Sequence, residues 1–228
     1  MSHTSGIPDF IGPAAALPGK HLPLHDFEQE LQKVKPAFEP GSQFAYANST
    51  YILLSYIIEQ VTGQPYGENL REHVFRKAGM RDSGCELPGE AVQKLATGQV
   101  RGERGVVDAP AFNVSVFKGA GAVYATAEDL QRWDQALFTD KLLSKEMKEK
   151  MFTPVHPPYG YGWFVRQVPG AGKIVYHEGG IPGYTSLLAR GTDKGYLIVL
   201  LSNLETEKSI GGEMVRGIVQ ILERHSGK

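Results

Sequence analysis

Three groups of residues combine side chains and spacings that could move protons or hold a carbonyl group. Tyr46-Ala47-Asn48 sets a phenol two residues from a primary amide, just ahead of a run over residues 50–62 that is almost entirely apolar. The phenol can pass a proton, and the amide both donates and accepts hydrogen bonds. His177-Glu178-Gly179 places an imidazole before the glycine-rich turn Gly179-Gly180-Ile181-Pro182-Gly183. Ser115-Val116-Phe117-Lys118 is the one serine followed by lysine at the third position. These types suit nucleophilic acyl transfer, in which a hydroxyl attacks a carbonyl, a base takes its proton and N–H donors hold the developing oxyanion.

The three groups do not carry equal weight. Chance supplies about 0.2 Tyr-x-Asn, about 0.8 His-x-Gly and about 0.7 Ser-x-x-Lys matches in a chain of this composition. Tyr46 therefore stands out and Ser115 does not. Ser115 also lies in a glycine-rich segment rather than on a helix, so it is the weakest candidate nucleophile, and Lys118 reads better as a residue lining a ligand site. A second His-x-Gly, His225-Ser226-Gly227, falls in the tail and reads as chance. Structural readings stand beside the chemical ones: Tyr46 as a packed core tyrosine, and His177 as a solvated strand histidine.

The elements that must position these residues follow from periodicity. Asp26 is placed to cap a short helix over residues 27–35, closed by Pro36. Pro40-Gly41 forms a turn ahead of Tyr46. The run 50–62 reads as a helix apolar on nearly every face, buried in a helical region and ended by Gly63. Pro65 opens another helix to about Lys77, closed by Gly79. Residues 81–112 show no strong period and read as loop with short helices. The segment from Lys118 to Ala122 is small enough for close backbone packing. Thr126-Ala127-Glu128-Asp129 resembles a capping box ahead of a helix, and Ser144 begins a shorter charged one. Beyond Pro157-Pro158 the runs 160–167, 173–177, 184–190 and 196–202 read as an antiparallel meander. An amphipathic helix over 210–224 should cover one sheet face. The expected division is a mostly helical region, 1–157, and a sheet region, 158–228, acting as one cooperative unit.

Composition narrows the function. The chain has 228 residues, a net charge of −1 and 41% hydrophobic residues, as in ordinary soluble domains. Near-neutral charge argues against a nucleic-acid partner. No apolar run reaches the ~20 residues that span a bilayer. A lone Cys85 excludes an internal disulfide, and no cysteine cluster, histidine pair or phosphate loop points to a metal or cofactor. Met1 to Pro8 lacks the features of a signal peptide, which makes the cytoplasm the default expectation.

The ordered motifs, taken together, resemble the serine β-lactamase-like superfamily, in the branch of class C β-lactamases, D-Ala-D-Ala carboxypeptidases and related esterases. His3-Thr4-Ser5-Gly6 is similar to its His-Thr-Ser-Gly loop, and residues 40–51 to its Tyr-x-Asn box. Ala78-Gly79-Met80-Arg81-Asp82-Ser83 is similar to its Leu-Gly-Met-x-Asp-Thr element, and residues 119–130 to its Gly-Gly-x-x-Ser-Thr-Ala-x-Asp-Leu element. His177-Glu178-Gly179 fits its third catalytic box, and Leu200-Leu201-Ser202-Asn203 its last strand.

That resemblance implies an α+β fold, an antiparallel sheet flanked by helices beside an all-α subdomain, with a cleft between them. It implies acyl-enzyme hydrolysis of an ester, amide, β-lactam or D-amino-acid peptide without a cofactor. Tyr46 would share the base role if nearby cations lower its pKa, Asn48 would hold the substrate, and His177 would orient Tyr46 or a substrate carboxylate. Gly179 would keep the strand edge open, and Gly180 would supply an oxyanion N–H. The family's Ser-x-x-Lys lies upstream of the His-Thr-Ser-Gly loop, where this chain has only Met1. The expectation is a truncated family member, lacking the nucleophile helix and N-terminal strands and impaired alone. The alternatives are an inactive ligand-binding module or a fragment without function. Strand 196–202 would then be an apolar edge inviting self-association or a complementing segment.

Overall fold

The computed structural model describes residues 1–11, 22–85 and 92–206, together with Gly217, Ile218 and Ile221. The chain divides into two compact units, Met1–Lys94 with Ala111–Lys148 and Leu95–Pro110 with Glu149–Lys228. Residues 95–110, placed with the helical region by their sequence position, belong to the second unit.

The first unit is built on α2, Asn48–Thr62. Its end is the expected one: Gly63 takes the left-handed conformation, φ 68°, and its N–H closes on the Glu59 carbonyl. Ile52 and Tyr56 on α2 pack with Ile11 and Phe27, the last on α1, Leu24–Lys33. The start of α1 differs from expectation, because Pro23 occupies the N-cap position and Asp26 sits within the first turn. The expected full burial of α2 also fails, since Ile57, Ile58 and Val61 are 48%, 38% and 81% exposed. No described element covers them, so an all-apolar composition did not report which faces would be enclosed.

After Pro65 the chain forms α3, Tyr66–Leu70, a π-helical turn, Arg71–Phe75, and α4, Arg76–Ala78, stopped by Gly79 at φ 75°. A 3-10 helix, Val114–Ala120, packs Gly119 so close to α2 that a Cβ there would lie 2.7 Å from the Tyr51 carbonyl oxygen. Thr126 caps α5, Ala127–Leu137, by accepting the Asp129 N–H at 3.1 Å, as a capping box requires. The second half of that box is different: the Asp129 carboxylate turns away and receives the Asp82 N–H at 2.7 Å and the Ser83 hydroxyl at 2.8 Å. Helix α6, Lys145–Met151, follows.

The loop expected over 81–112 instead contains strands. β1, Gly84–Cys85, pairs antiparallel with β4, Val123–Tyr124, and β2, Gln99–Gly102, forms a hairpin with β3, Gly105–Asp108. β3 is exposed along its whole length, so it has no apolar–polar alternation that could have announced it.

The second unit holds the expected meander: β5, Phe164–Val168, β6, Gly172–Ile181, β7, Tyr184–Gly191, and β8, Tyr196–Ser202, in that spatial order. Ile174, Leu187, Ala189 and Ile198 form the buried cluster on the sheet, with Ile218 packed against it. Of the helix expected over 210–224, Gly217, Ile218 and Ile221 are helical, and the others lie outside the described residues. β5 pairs with β6 only from Val168↔Gly172 to Phe164↔Tyr176. From His177 to Ile181, β6 is therefore joined by β7 on one edge and by no described strand on the other. No described helix is long and apolar enough to cross a membrane.

Candidate functional site

Tyr46 and Asn48 stand at the N-terminus of α2, and the loop at residues 3–6 fastens the segment that carries them. The His3 carbonyl accepts the Ala45 N–H at 3.0 Å, the Thr4 carbonyl accepts that of Gly41 at 2.7 Å, and the Gly6 carbonyl accepts that of Ala37 at 2.8 Å. Gly6 is at φ 80°, and a Cβ there would lie 2.3 Å from the Phe38 carbonyl oxygen, so only glycine fits. His3 is buried, and its Nδ1 accepts the Ala47 N–H at 3.2 Å. Its ring centroid is 4.2 Å from that of Tyr46 and 5.0 Å from that of Tyr51. The His-Thr-Ser-Gly loop is thus the floor on which Tyr46 rests.

Asp9, three residues beyond this loop, also reaches the box. The Asp9 carboxylate accepts the Ser49 N–H at 3.0 Å, the Ser49 hydroxyl at 2.7 Å and the Asn48 side-chain N–H at 3.2 Å. Sequence reasoning singled out neither Asp9 nor Ser49. The available signal was a missing one: Ala47 precedes α2 and has no side chain to cap it, so some other residue must.

The electrostatics of Tyr46 run against the expected cation-lowered base. Partial burial pushes its phenol up from the ordinary value, and the Asp9 carboxylate pushes it further in the same direction. Both effects favour the neutral phenol over tyrosinate.

Ser115 and Lys118 share the 3-10 helix but not a common partner. Ser115 is buried, and its hydroxyl donates to Asn113 Oδ1 at 2.6 Å. The Lys118 ammonium grips both oxygens of Glu59, at 2.8 and 2.7 Å, and lies 4.4 Å from the centre of the Tyr56 ring. Its backbone is strained, at φ 36° and ψ −113°, which kinks the chain at Lys118. The ion pair occupies the ammonium that was expected to line a ligand site.

In the second unit, His177 lies on β6 where its strand edge becomes open. Its Nδ1 is 2.6 Å from the Glu178 carbonyl oxygen and its Nε2 is 2.9 Å from the hydroxyl of Tyr159, a fully buried residue that sequence reasoning missed. Both ring nitrogens are thus engaged by this unit's own groups. Burial lowers the imidazole's pKa, and the carbonyl and carboxylate of Glu178 oppose that with smaller effects. Gly179 pairs with Ser186 and Gly180 with Thr185 across β7. A Cβ at Gly179 would lie 2.5 Å from the Ser186 hydroxyl, whereas one at Gly180 would meet nothing within 4 Å.

The chain is 32% identical to penicillin-binding protein 4* of Bacillus subtilis, over 97% of this chain and 54% of that protein. It thus spans about half the length of that curated relative. A penicillin binding protein from Bacillus halodurans superposes with a TM-score of 0.79 at 28% identity, covering 97% of this chain and 70% of that one. The D-amino acid amidase from Ochrobactrum anthropi SV3, complexed with L-phenylalanine amide, superposes with a TM-score of 0.82 at 26% identity, covering 100% of this chain and 70% of the other. The family model described as Beta-lactamase matches residues 1–222. With that match spanning both the Tyr46-Ala47-Asn48 box and the His177-Glu178-Gly179 strand, this chain belongs to the beta-lactamase family.

Proposed function

We propose that this chain carries the Tyr-x-Asn and His-x-Gly parts of a serine-hydrolase site for ester, amide, β-lactam or D-amino-acid ligands. Alone, it binds such ligands more readily than it turns them over. Family membership supplies the class of chemistry. The observation that carries the impairment is Ser115: its hydroxyl donates to an amide oxygen rather than a base, and its Lys118 is paired with Glu59. A serine so held has nowhere to send its proton as it attacks.

In this reading Asn48 holds the ligand's carbonyl or amide, and Tyr46 donates a hydrogen bond to it as a neutral phenol. The Gly180 N–H on β6 is an oxyanion donor, and His177 holds the strand in shape there. Lys118 takes no part. Association with a second copy or a complementing segment through β8 belongs to the same reading.

The test is titration with benzylpenicillin and with D-phenylalanine amide by calorimetry, alongside burst kinetics with a p-nitrophenyl ester and mass-spectrometric mapping of any adduct. Saturable binding without a burst or a Ser115 adduct is expected. An adduct on Ser115, with a burst abolished in Ser115→Ala, would make that serine the nucleophile. Failure to bind either ligand would sink the binding role.

A further inference from the structure

We infer that Asp9 is a positioning residue for the Tyr46–Asn48 box, its carboxylate setting both the start of α2 and the rotation of the Asn48 amide. The inference rests on the ligand-binding reading of Asn48 given above.

The first turn of α2 needs acceptors for its N–H groups, and its own sequence supplies neither a capping side chain nor an acidic residue there. Asp9 supplies them from 40 residues away, through the Ser49 N–H and hydroxyl on Oδ1. Ser49 is fully buried, and its oxygen accepts the Phe10 and Ile11 N–H groups at 3.0 and 3.1 Å. One donated and two accepted bonds use the whole capacity of a hydroxyl. The network therefore ties the loop at residues 9–11 to the helix in a single arrangement, with an anion at the positive end of α2.

Oδ2 then acts on Asn48. A carboxylate oxygen only accepts, so the group 3.2 Å away must be the Asn48 nitrogen, and chemistry fixes the amide's orientation. Asn48 consequently turns its Oδ1 and its second N–H away from Asp9, one acceptor and one donor for a ligand. The flipped amide would set two oxygens against each other. Asp9→Asn reverses that discrimination: with its one oxygen kept on Ser49, its amide nitrogen faces Asn48, donates only, and calls for Asn48 Oδ1 in place of Nδ2. Asp9→Ala removes both functions.

The test is nitrogen-15 NMR of the full chain, with the Asn48 side-chain amide assigned by its disappearance in Asn48→Asp. In the native chain the two Nδ2 protons should be well separated, one held downfield by the carboxylate. In Asp9→Asn that separation should collapse while the Ser49 backbone N–H keeps its native shift. Asp9→Ala should lose both and lower the melting temperature. An Asn48 proton pair unchanged in Asp9→Asn would overturn the inference and leave Asp9 as a helix cap only. Asp9→Asn carries the test even if Asp9→Ala does not fold. Binding of D-phenylalanine amide, measured on the same samples, should weaken about tenfold in Asp9→Asn. A collapsed proton pair with unchanged binding would keep the positioning role and refute the ligand-binding role of Asn48.

Discussion

The Tyr159 hydroxyl donates to Nε2 of His177 at 2.9 Å, and the tautomer follows from the other nitrogen. Nδ1 lies 2.6 Å from the Glu178 carbonyl, which only accepts, so Nδ1 carries the proton and Nε2 is the acceptor. Both bonds hold in the neutral imidazole, and burial lowers its pKa below the ordinary histidine value. The unfolded chain then binds more protons across that interval. Stability is fully present above the unfolded pKa, near 6.5, and falls as pH drops through it toward the folded value. The urea midpoint should fall between about pH 7.5 and about pH 5.5, with a flatter profile in His177→Gln. Tyr159→Phe should cost about 1 kcal/mol and raise the His177 pKa by removing a bond to the neutral form. A native His177 titrating at its ordinary value by NMR would contradict this account.

Tyr46 should titrate as a weaker acid than a free phenol, because burial and the Asp9 charge both disfavour tyrosinate. The difference in absorbance at the tyrosinate band between the native chain and Tyr46→Phe isolates its titration. That titration should move to lower pH in Asp9→Asn. A midpoint below the ordinary tyrosine value in the native chain would restore the base role for Tyr46.

Asp129 is fully buried, and burial alone pushes its carboxyl up. Hydrogen bonds from Ser83, the Asp82 backbone, Arg132 and the Arg81 backbone outweigh that and leave it below the usual carboxylate range. Its stabilising contribution is present above the unfolded pKa, about 3.9, and is lost as pH falls through the folded value. Asp129→Ala should destabilise the chain by on the order of 2 kcal/mol in urea unfolding at neutral pH, because it removes the acceptor shared by the Asp82 N–H, the Ser83 hydroxyl and Arg132. A cost within the scatter of surface substitutions would show that the network does not bear on stability.

Two glycines give opposed expectations. Gly119→Ala drives a Cβ to 2.7 Å from a backbone oxygen of α2, which cannot yield as a side chain would, and should cost about 1–3 kcal/mol. Gly180→Ala meets nothing within 4 Å and should stay within about 0.5 kcal/mol. Thermal melts of the two variants check the contrast, and equal losses would refute the close packing of the 3-10 helix on α2.

β8 has neither charge nor proline over Tyr196–Ser202, and among the described residues it pairs only with β7. Such an edge favours pairing with another chain. The chain should associate in a concentration-dependent way, and Leu201→Lys, at a 48% exposed position, should weaken that association. Light scattering that reports a monomer at all concentrations would rule it out.

Much of the fold was legible locally. Gly63 and Gly79 end their helices because a left-handed residue there satisfies the last carbonyls, and glycine alone adopts that conformation freely. The meander showed because short apolar runs alternate with glycine turns, and its last two strands fall within a residue of expectation. The hairpin β2–β3 was hidden by its exposure, and the open face of α2 by a composition that would have suited burial on every side.

The residues by themselves determined the family and named the box, since Tyr46, Asn48 and His177 are motif positions readable within three residues. They also gave Ser115 little weight as a nucleophile, because about 0.7 such matches are expected by chance. Only the tertiary structure decided what those groups touch: Asp9 on Asn48 across 39 residues, Lys118 on Glu59 across 59, and Tyr159 on His177. Backbone preference and apolar periodicity act over a few neighbouring residues and can be read in order. Which donor meets which acceptor depends on how separate elements pack, and those contacts push the Tyr46 phenol up and fix the tautomer of His177.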